Sequence, residues 1–472
     1  MPIRSVISQT RKHARILALA AALALPAPAR AGEGDVALTL GEARQIAVHA
    51  LQNGNPGLAA QLARGLLRAN PDDGFAYYII ASAEAQQNRP TASRKAASKA
   101  FRHAAKPVDK FSAAQLAARM AYTEERYSLS QFWLRRSAIH APDEQAERVV
   151  ARDYTTLRRI NPWAFRVQAD LRPSSNVNKG SDTALQIIDG VPVTGVLSGN
   201  AQALSGLIGT LDLFASYRLN RGKRSATSLS GRIYIQRVAL SDDAKAQAPS
   251  ATNSDYASTY GELALRHGLL AGKPGSGGTG AVELAYGESW NRSARSFSFV
   301  RVSGDRGWRL GSGATLKIDA LYEDRFDARV SVNDARVLGF GGQYRQPLAN
   351  GDRLTFSMAL RDSDAKHVNG TYQSASVRAS YDFGKPVGPM RLRAGLTLGY
   401  TDYPVFRSAG FLTVPGGRQD SSVYGDVSML FHEMDYAGFA PMLRLRAGKK
   451  SSNDSRYSMR EMSLSLGIES KF

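Results

Sequence analysis

Two hydrophobic periods divide this chain, and the change between them falls near Trp163. Over residues 37–160, apolar residues recur at the spacing of amphipathic helices. From Trp163 onward the period is two, most clearly from Met390 to Tyr400, where leucine and alanine alternate with arginine, glycine and threonine. Because successive side chains of a strand point to opposite faces, the second part is predicted to be β-structure with one apolar and one polar face.

The helical part contains three stretches of similar plan, each a helix, a short turn and a second helix ending at a proline. They cover residues 40–71, 74–107 and 111–142, and a last helix is predicted over 143–160. The period near 34, with small residues where paired helices touch, resembles the tetratricopeptide repeat. An irregular helical bundle is the alternative. A repeat solenoid of this kind presents a concave surface to peptides.

The alternating part predicts fourteen strands joined by connections of unequal length. Short connections alternate with generally longer ones, and the longest are 172–205, 239–255 and 402–419. Membrane barrels have short periplasmic turns and long outer loops, so both barrel ends and the helical part are expected on the periplasmic side. The strands are predicted over 163–171, 206–219, 226–238, 256–267, 280–289, 295–303, 314–323, 334–346, 352–361, 371–383, 390–401, 420–432, 440–449 and 459–472.

A closed membrane barrel explains this pattern better than a soluble sandwich or propeller. No apolar run after residue 31 reaches the length of a membrane helix, and a closed barrel is the other structure that pairs every backbone group in lipid. The chain stops at Phe472 after an alternating strand, which resembles the signal that barrel-assembly machinery reads. The predicted fold class is an α + β membrane protein, with N-terminal all-α tetratricopeptide-like repeats and a C-terminal antiparallel transmembrane β-barrel of about 14 strands.

Residues 1–31 have the features of a secretory signal peptide. An acid-free basic start precedes ten apolar residues at 16–25, and small residues stand at Ala29 and Ala31. A short membrane anchor is the alternative, but ten residues are too few to span a bilayer. The predicted domains are a signal peptide at 1–31, a periplasmic helical domain at 32–160 and an outer-membrane barrel at 161–472.

Charge and composition exclude several kinds of chemistry. The formal net charge is +20, of which the signal peptide contributes five, but the basic residues are spread along an exported chain, so no nucleic-acid partner is expected. A cationic lumen or contact with anionic lipopolysaccharide explains the charge instead. The absence of cysteine excludes disulfides, thiolate catalysis and cysteine-ligated zinc.

No catalytic or metal-binding constellation is visible in the sequence. The barrel histidines His267, His367 and His432 lack metal-ligand spacing, so no enzyme activity and no cofactor are expected. A hydrolase built from residues distant in sequence stays open as an alternative. The glycine-rich run at 275–280 matches a nucleotide-binding pattern, but it precedes a strand rather than a helix and is interpreted as a turn.

Seven arginines on the polar face of the predicted strands are the candidate lumen residues. One interpretation is a structural wall in which Asp382, Asp426 and other carboxylates pair with them. The functional interpretation is a cationic passage for an acidic or extended client. The seven are Arg353, Arg361, Arg378, Arg391, Arg393, Arg444 and Arg446.

The end of the first predicted strand carries the most specific local motif. Ser175, Asn176 and Asn178 form a Ser-Asn-x-Asn sequence leading into the first outer loop. With this motif and its domain order, the chain resembles the surface lipoprotein assembly modifiers, also called Slam proteins. The resemblance implies a translocator whose partners are a client surface lipoprotein or secreted protein, barrel-assembly machinery, periplasmic chaperones, outer-membrane lipid and lipopolysaccharide. Residues 37–160 would then bind the client in the periplasm.

The sequence is also consistent with two other functions. Exopolysaccharide export porins also join tetratricopeptide repeats to a barrel, although they typically have more repeats and a larger barrel. A passive porin is the third possibility, for which the helical domain has no evident use.

Overall fold

A computed structural model describes residues 38–273, 277–311, 313–432, 434 and 439–470. The predicted signal peptide at 1–31 and the terminal Phe472 lie outside these residues, so both stay predictions. No helix in the described ranges is long and apolar enough to cross a membrane.

The helical part of the described chain contains seven helices before the first strand, as the sequence predicts. Each helix packs against the next one along the chain. The helices are α1 (Leu40–Gln52), α2 (Pro56–Ala69), α3 (Gly74–Gln86), α4 (Pro90–His103), α5 (Pro107–Thr123), α6 (Tyr127–Ala138) and α7 (Glu144–Ile160).

Local sequence determines where these helices begin. At α1, the Thr39 hydroxyl accepts from the Glu42 N–H at 3.2 Å, and the Glu42 carboxylate accepts from the Thr39 N–H at 2.9 Å. This capping box satisfies backbone donors that have no partner inside the helix. Helices α2, α4 and α5 each begin with proline, which is tolerated there because a first-turn N–H has no helical acceptor.

Small side chains allow consecutive helices to approach closely. The Ser93 hydroxyl of α4 donates to the carbonyl of Ala81 in α3 at 2.6 Å, and the Ser130 hydroxyl of α6 donates to the carbonyl of Ala118 in α5 at 2.8 Å. The two contacts have the same sequence separation of 12 residues. The recurrence of one contact in consecutive helix pairs shows that the pairs are built on a common plan.

The remaining described residues form a closed antiparallel barrel of fourteen strands. Every predicted strand is present, most of them longer by a few residues. We number the barrel strands β1 (Trp163–Ser174), β2 (Gly206–Arg221), β3 (Ser225–Leu240), β4 (Ser258–Ala271), β5 (Gly278–Asn291), β6 (Ala294–Arg309), β7 (Thr315–Asp327), β8 (Ala335–Pro347), β9 (Arg353–Ala365), β10 (Tyr372–Asp382), β11 (Met390–Tyr403), β12 (Arg418–Phe431), β13 (Phe439–Ser452) and β14 (Met459–Ser470).

The two faces of the barrel wall have opposite character. Large apolar residues on one face remain exposed, including Leu263 at 62% and Leu466 at 60%. The other face is polar and carries ion pairs that skip a strand, such as Arg378 on β10 with Asp426 on β12. Such pairs form on the concave side, so the polar face lines the lumen and the apolar face points outward, as in lipid-embedded barrels.

The two ends of the barrel also differ. At the end nearest the helices, short turns join β2 to β3, β6 to β7, β8 to β9 and β10 to β11. At the opposite end lie the long loops 175–205, 241–257 and 404–417. One connection at this end is short instead. Arg292 and Ser293 alone join β5 to β6, with φ of 53° and 60°, the backbone conformation of a tight hairpin turn.

The seam between the first and last strands is paired less completely than the neighbouring ladders. Strand β1 pairs with β2 along its whole length, from Trp163 to Ser174. Among the described residues, its register partners in β14 are confined to Asp170–Gly467, Leu171–Leu466 and Ser174–Ser463. Pro173 lies within this stretch and has no N–H to donate to a ladder. Among the described residues, the seam is therefore the strand pair with the fewest register partners.

Candidate functional site

The helical part is attached to the short-turn end of the barrel. The guanidinium groups of Arg218 and Arg221 donate to the carbonyl of Arg159 in the last turn of α7, at 3.1 and 2.9 Å. The guanidinium of Arg135 in α6 lies 5.2 Å from the ring centre of Phe439 at the start of β13. These contacts hold the helices at one mouth of the lumen.

The predicted Ser-Asn-x-Asn motif fixes the first long loop at the opposite end. The Asn178 amide donates to the carbonyls of Asn200 and Gln202 at 3.0 and 2.7 Å, and its carbonyl oxygen accepts from the Leu204 N–H at 2.9 Å. Asn176 is buried and exchanges two hydrogen bonds of 2.8 Å with the backbone of Gly180. The two asparagines therefore have a structural role in shaping the loop.

Ser175 differs from its two neighbours in the motif. Its side chain is exposed, and the structure shows no hydrogen bond from it to any described residue. Only part of the motif therefore takes part in shaping the loop.

The first and last loops are joined by a group of hydrogen bonds that we call the strap. The Ser181 hydroxyl donates to the carbonyl of Ser455 at 2.9 Å, and the Ile187 N–H donates to the Ser455 hydroxyl at 2.8 Å. The Asp182 N–H donates to the carbonyl of Ser458 at 3.1 Å. The strap connects residues 181–189 with residues 453–460, directly above the weakly paired seam.

A fully buried aspartate joins three loops beneath the strap. Asp454 accepts hydrogen bonds from the Gln186 amide at 3.1 Å and from the hydroxyl of Ser408. It thereby connects the first long loop, the 404–417 loop and the last loop. Sequence analysis missed this cluster because its members lie in three distant segments without periodic spacing.

A buried arginine occupies an aromatic cage beside that cluster. The guanidinium of Arg418 lies 3.9 Å from the ring centres of Tyr403 and Tyr457 and 4.2 Å from that of Phe406. Asp420 pairs with it at 3.2 Å and also with Lys450 at 3.3 Å. Cation–π contacts of a desolvated arginine are worth about 2 kcal/mol, so this cage stabilises the loop end of the barrel.

The structure places all seven candidate arginines on the polar face of strands β9, β10, β11 and β13. Two of them are paired with the carboxylates that the sequence analysis named. Arg378 binds both oxygens of Asp426 at 2.6 and 2.9 Å, and Arg393 is paired with Asp382. The other five have no ion pair with a described residue: Arg353, Arg361, Arg391, Arg444 and Arg446. The two paired arginines therefore fit the interpretation of a structural wall, and the other five remain candidates for a cationic passage.

The inner face of β2 to β7, which we call the paired wall, is different. Arg232 pairs with Asp212 at 2.7 Å, and Arg301 lies between Glu262 and Glu323. Arg266, Lys317 and Arg325 also have carboxylate partners. Charges on this side of the lumen are largely balanced within the protein.

No group of three histidine, cysteine or acidic side chains in the described part of the chain could hold a metal ion. His267, His367 and His432 lie in different strands or connections. The candidate functional site is the lumen with its two mouths, because the inward-facing charges and the attached helices lie there.

No protein-family model matches the sequence, and no characterised relative matches it. Among solved structures, the chain is similar to OprB from Pseudomonas putida, with 9% identity over 67% of this chain and 96% of that chain and a TM-score of 0.38. An outer-membrane channel from Pseudomonas putida F1 gives 10% identity over 64% and 93%, with a TM-score of 0.33. A bacterial polysaccharide outer-membrane secretin gives 8% identity over 65% and 98%, with a TM-score of 0.32.

Because these scores are low, the class of the protein follows from its own geometry. A closed antiparallel barrel with an apolar outer face, a polar inner face, short turns at one end and long loops at the other is the architecture of outer-membrane β-barrels. This chain is an outer-membrane β-barrel protein with a helical N-terminal part.

Proposed function

We propose that this protein is a translocator that exports or displays specific client proteins across the outer membrane. The observation that carries the proposal is the attachment of a helical-repeat region to the short-turn mouth of the barrel, through Arg218, Arg221 and Arg159. Short turns face the periplasm in outer-membrane barrels, so the helices would lie where a periplasmic client arrives. The resemblance to surface lipoprotein assembly modifiers supports the same function.

In this proposal the helices receive a surface lipoprotein or secreted protein, with or without its chaperone. The barrel then provides the route outward. A passive porin needs no such receptor at its mouth. An exopolysaccharide porin also uses helical repeats, and it is the alternative that the experiment must separate.

The test compares a deletion strain complemented with three forms of the gene. These are the wild type, a form lacking residues 38–142 that keeps α7, and the wild type with Arg292→Gln as a control at the opposite end. Surface-exposed and secreted proteins are quantified by mass spectrometry. Barrel assembly is followed by the change in electrophoretic mobility of the protein on heating. We expect the shortened form to assemble but to leave one or two specific proteins in the periplasm.

Two other outcomes would contradict the proposal. An unchanged protein profile with loss of capsule or matrix polysaccharide would assign the protein to polysaccharide export. An unchanged profile of both protein and polysaccharide would leave a passive pore.

A further inference from the structure

The lumen is electrostatically asymmetric. The paired wall places carboxylates next to its basic groups, as in the Arg301 contacts with Glu262 and Glu323. The inner face of β8 to β14, which we call the arginine wall, carries five arginines without an ion-pair partner among the described residues: Arg353, Arg361, Arg391, Arg444 and Arg446. The carboxylates Asp382 and Asp426 are already paired, and Asp420 near the loop end is shared by Arg418 and Lys450.

Register brings several of these arginines into one row near the mouth that holds the helices. Arg353 faces Asp382, Asp382 faces Arg393, and Arg393 faces Ser428 on the next strand. Ser428 in turn faces Arg444, whose guanidinium donates to the serine hydroxyl at 3.1 Å. Four adjacent strand pairs therefore carry three arginines and one aspartate in a continuous line.

The row carries more positive charge than its one carboxylate can neutralise. Asp382 lies between Arg353 and Arg393 and is paired with Arg393, and an arginine without a carboxylate partner must keep its hydration. In a narrow lumen with low-dielectric walls, the field of unbalanced charges is concentrated along the passage. The arrangement suits a mobile anionic ligand rather than a structural wall.

The spacing along each strand matches an extended peptide. Arg391 and Arg393 lie two residues apart on one strand, as do Arg444 and Arg446. Same-face residues of a strand are about 7 Å apart, and alternate carboxylates of an extended acidic peptide have the same repeat. Arginine also binds carboxylates through two parallel hydrogen bonds, which favours this class of ligand.

We propose that the arginine wall binds an extended, carboxylate-rich segment of the client protein inside the lumen. The inference rests on the proposed function, because it requires a client protein that the helices deliver at the short-turn mouth of the barrel. An acidic polysaccharide shares the charge, so it is the competing ligand that the test must separate.

The test measures binding of a fluorescein-labelled decaglutamate peptide to the full mature protein in a neutral detergent, by fluorescence anisotropy at low ionic strength. The test variant is Arg353→Gln/Arg391→Gln/Arg444→Gln. The matched control, Arg292→Gln/Arg329→Gln/Arg407→Gln, removes the same charge from exposed positions at the loop end. Labelled decalysine and polymannuronate are measured in parallel.

We expect the test variant to bind decaglutamate roughly tenfold or more weakly than the wild type, because it loses several charge-assisted contacts. The control should bind within about twofold of the wild type, and decalysine should not bind. Equal weakening in both variants, or no decaglutamate binding by the wild type, would overturn the inference.

The outcomes for the inference and for the proposed function are separable. Binding of polymannuronate without binding of decaglutamate would replace the peptide by an anionic glycan. If decaglutamate fails to bind while the deletion strain still loses specific surface proteins, only the lumen contact is wrong and protein export stands.

Discussion

Arg218, at the end of β2, donates a hydrogen bond of 3.1 Å to the backbone carbonyl of Arg159, in the last turn of α7. Arg221 donates to the same oxygen at 2.9 Å. A carbonyl in the last turn of a helix has no partner within the helix, so these arginines satisfy it from the barrel side. Arg218 also donates to the carbonyl of Asn161 at 3.2 Å, so the end of the helix is joined to the end of β2 by several hydrogen bonds.

Replacing both arginines should loosen this junction. Because hydrogen bonds to charged groups are worth about 1.5–3 kcal/mol each, Arg218→Gln/Arg221→Gln should speed amide exchange around residues 158–163 by at least about tenfold. Exchange is measured by mass spectrometry on the full-length protein, and Arg292→Gln/Arg329→Gln, which removes the same charge from exposed positions at the opposite end, serves as the control. Unaltered exchange in this segment would show that the contacts do not hold the helices in place.

Loss of the motif asparagine should release the first long loop. Asn178→Ala removes the hydrogen bonds to Asn200, Gln202 and Leu204, at a cost of about 1 kcal/mol each. We expect faster cleavage of residues 185–197 by protease added to intact cells. Asn200→Ala, whose side chain contacts only the Ser250 hydroxyl among described residues, should leave cleavage near the wild-type rate.

Replacing two different glycines of the helical part by alanine should change its stability in opposite directions. A Cβ at Gly74 would lie 2.9 Å from backbone atoms of His103 and Ala104, so Gly74→Ala should push α3 away from α4 and lower the thermal midpoint. A Cβ at Gly65 meets nothing within 4 Å, and Gly65→Ala in mid-helix should stabilise by about 0.5–1 kcal/mol. The thermal midpoints of the two variants are measured by following the helical circular dichroism signal during heating. Equal effects of the two substitutions would contradict the packing described between α3 and α4.

The helical part should weaken in mild acid because of His140. Burial lowers the pKa of its imidazole, and the nearby charges of Lys110 and Arg136 lower the pKa further. The unfolded state therefore binds a proton more readily, and the free energy of unfolding should fall as pH drops below about 6.5. Urea unfolding of the full mature protein at pH 7.5 and 5.5 measures the loss. In His140→Gln the contribution of this residue should vanish, so an identical pH dependence in that variant would contradict the assignment.

Much of the barrel was predictable from the sequence because apolar and polar residues alternate along each strand. The alternation from Met390 to Tyr400 identifies both the strand and the side that faces lipid, and the lumen position of Arg391 follows from the same period. Pairing across strands was not predictable. Whether Arg378 meets Asp426 depends on the register of two ladders, which short-range patterns do not encode.

The loop end was the least predictable part. Gln186, Ser408 and Asp454 come together from three loops, and no spacing in the sequence relates them. The tight turn at Arg292 and Ser293 was also missed, because neither residue is the glycine or asparagine that usually signals two left-handed positions.

The strap has a consequence for the order of folding. Ser181 and Ser455 are 274 residues apart, and Arg460 and Asp182 are 278 apart. Contacts of such separation carry a large loop-closure cost unless the intervening chain is already organised. The strap is therefore expected to form late, once the first and last strands have met, so an intact strap would mark a barrel whose closure is complete.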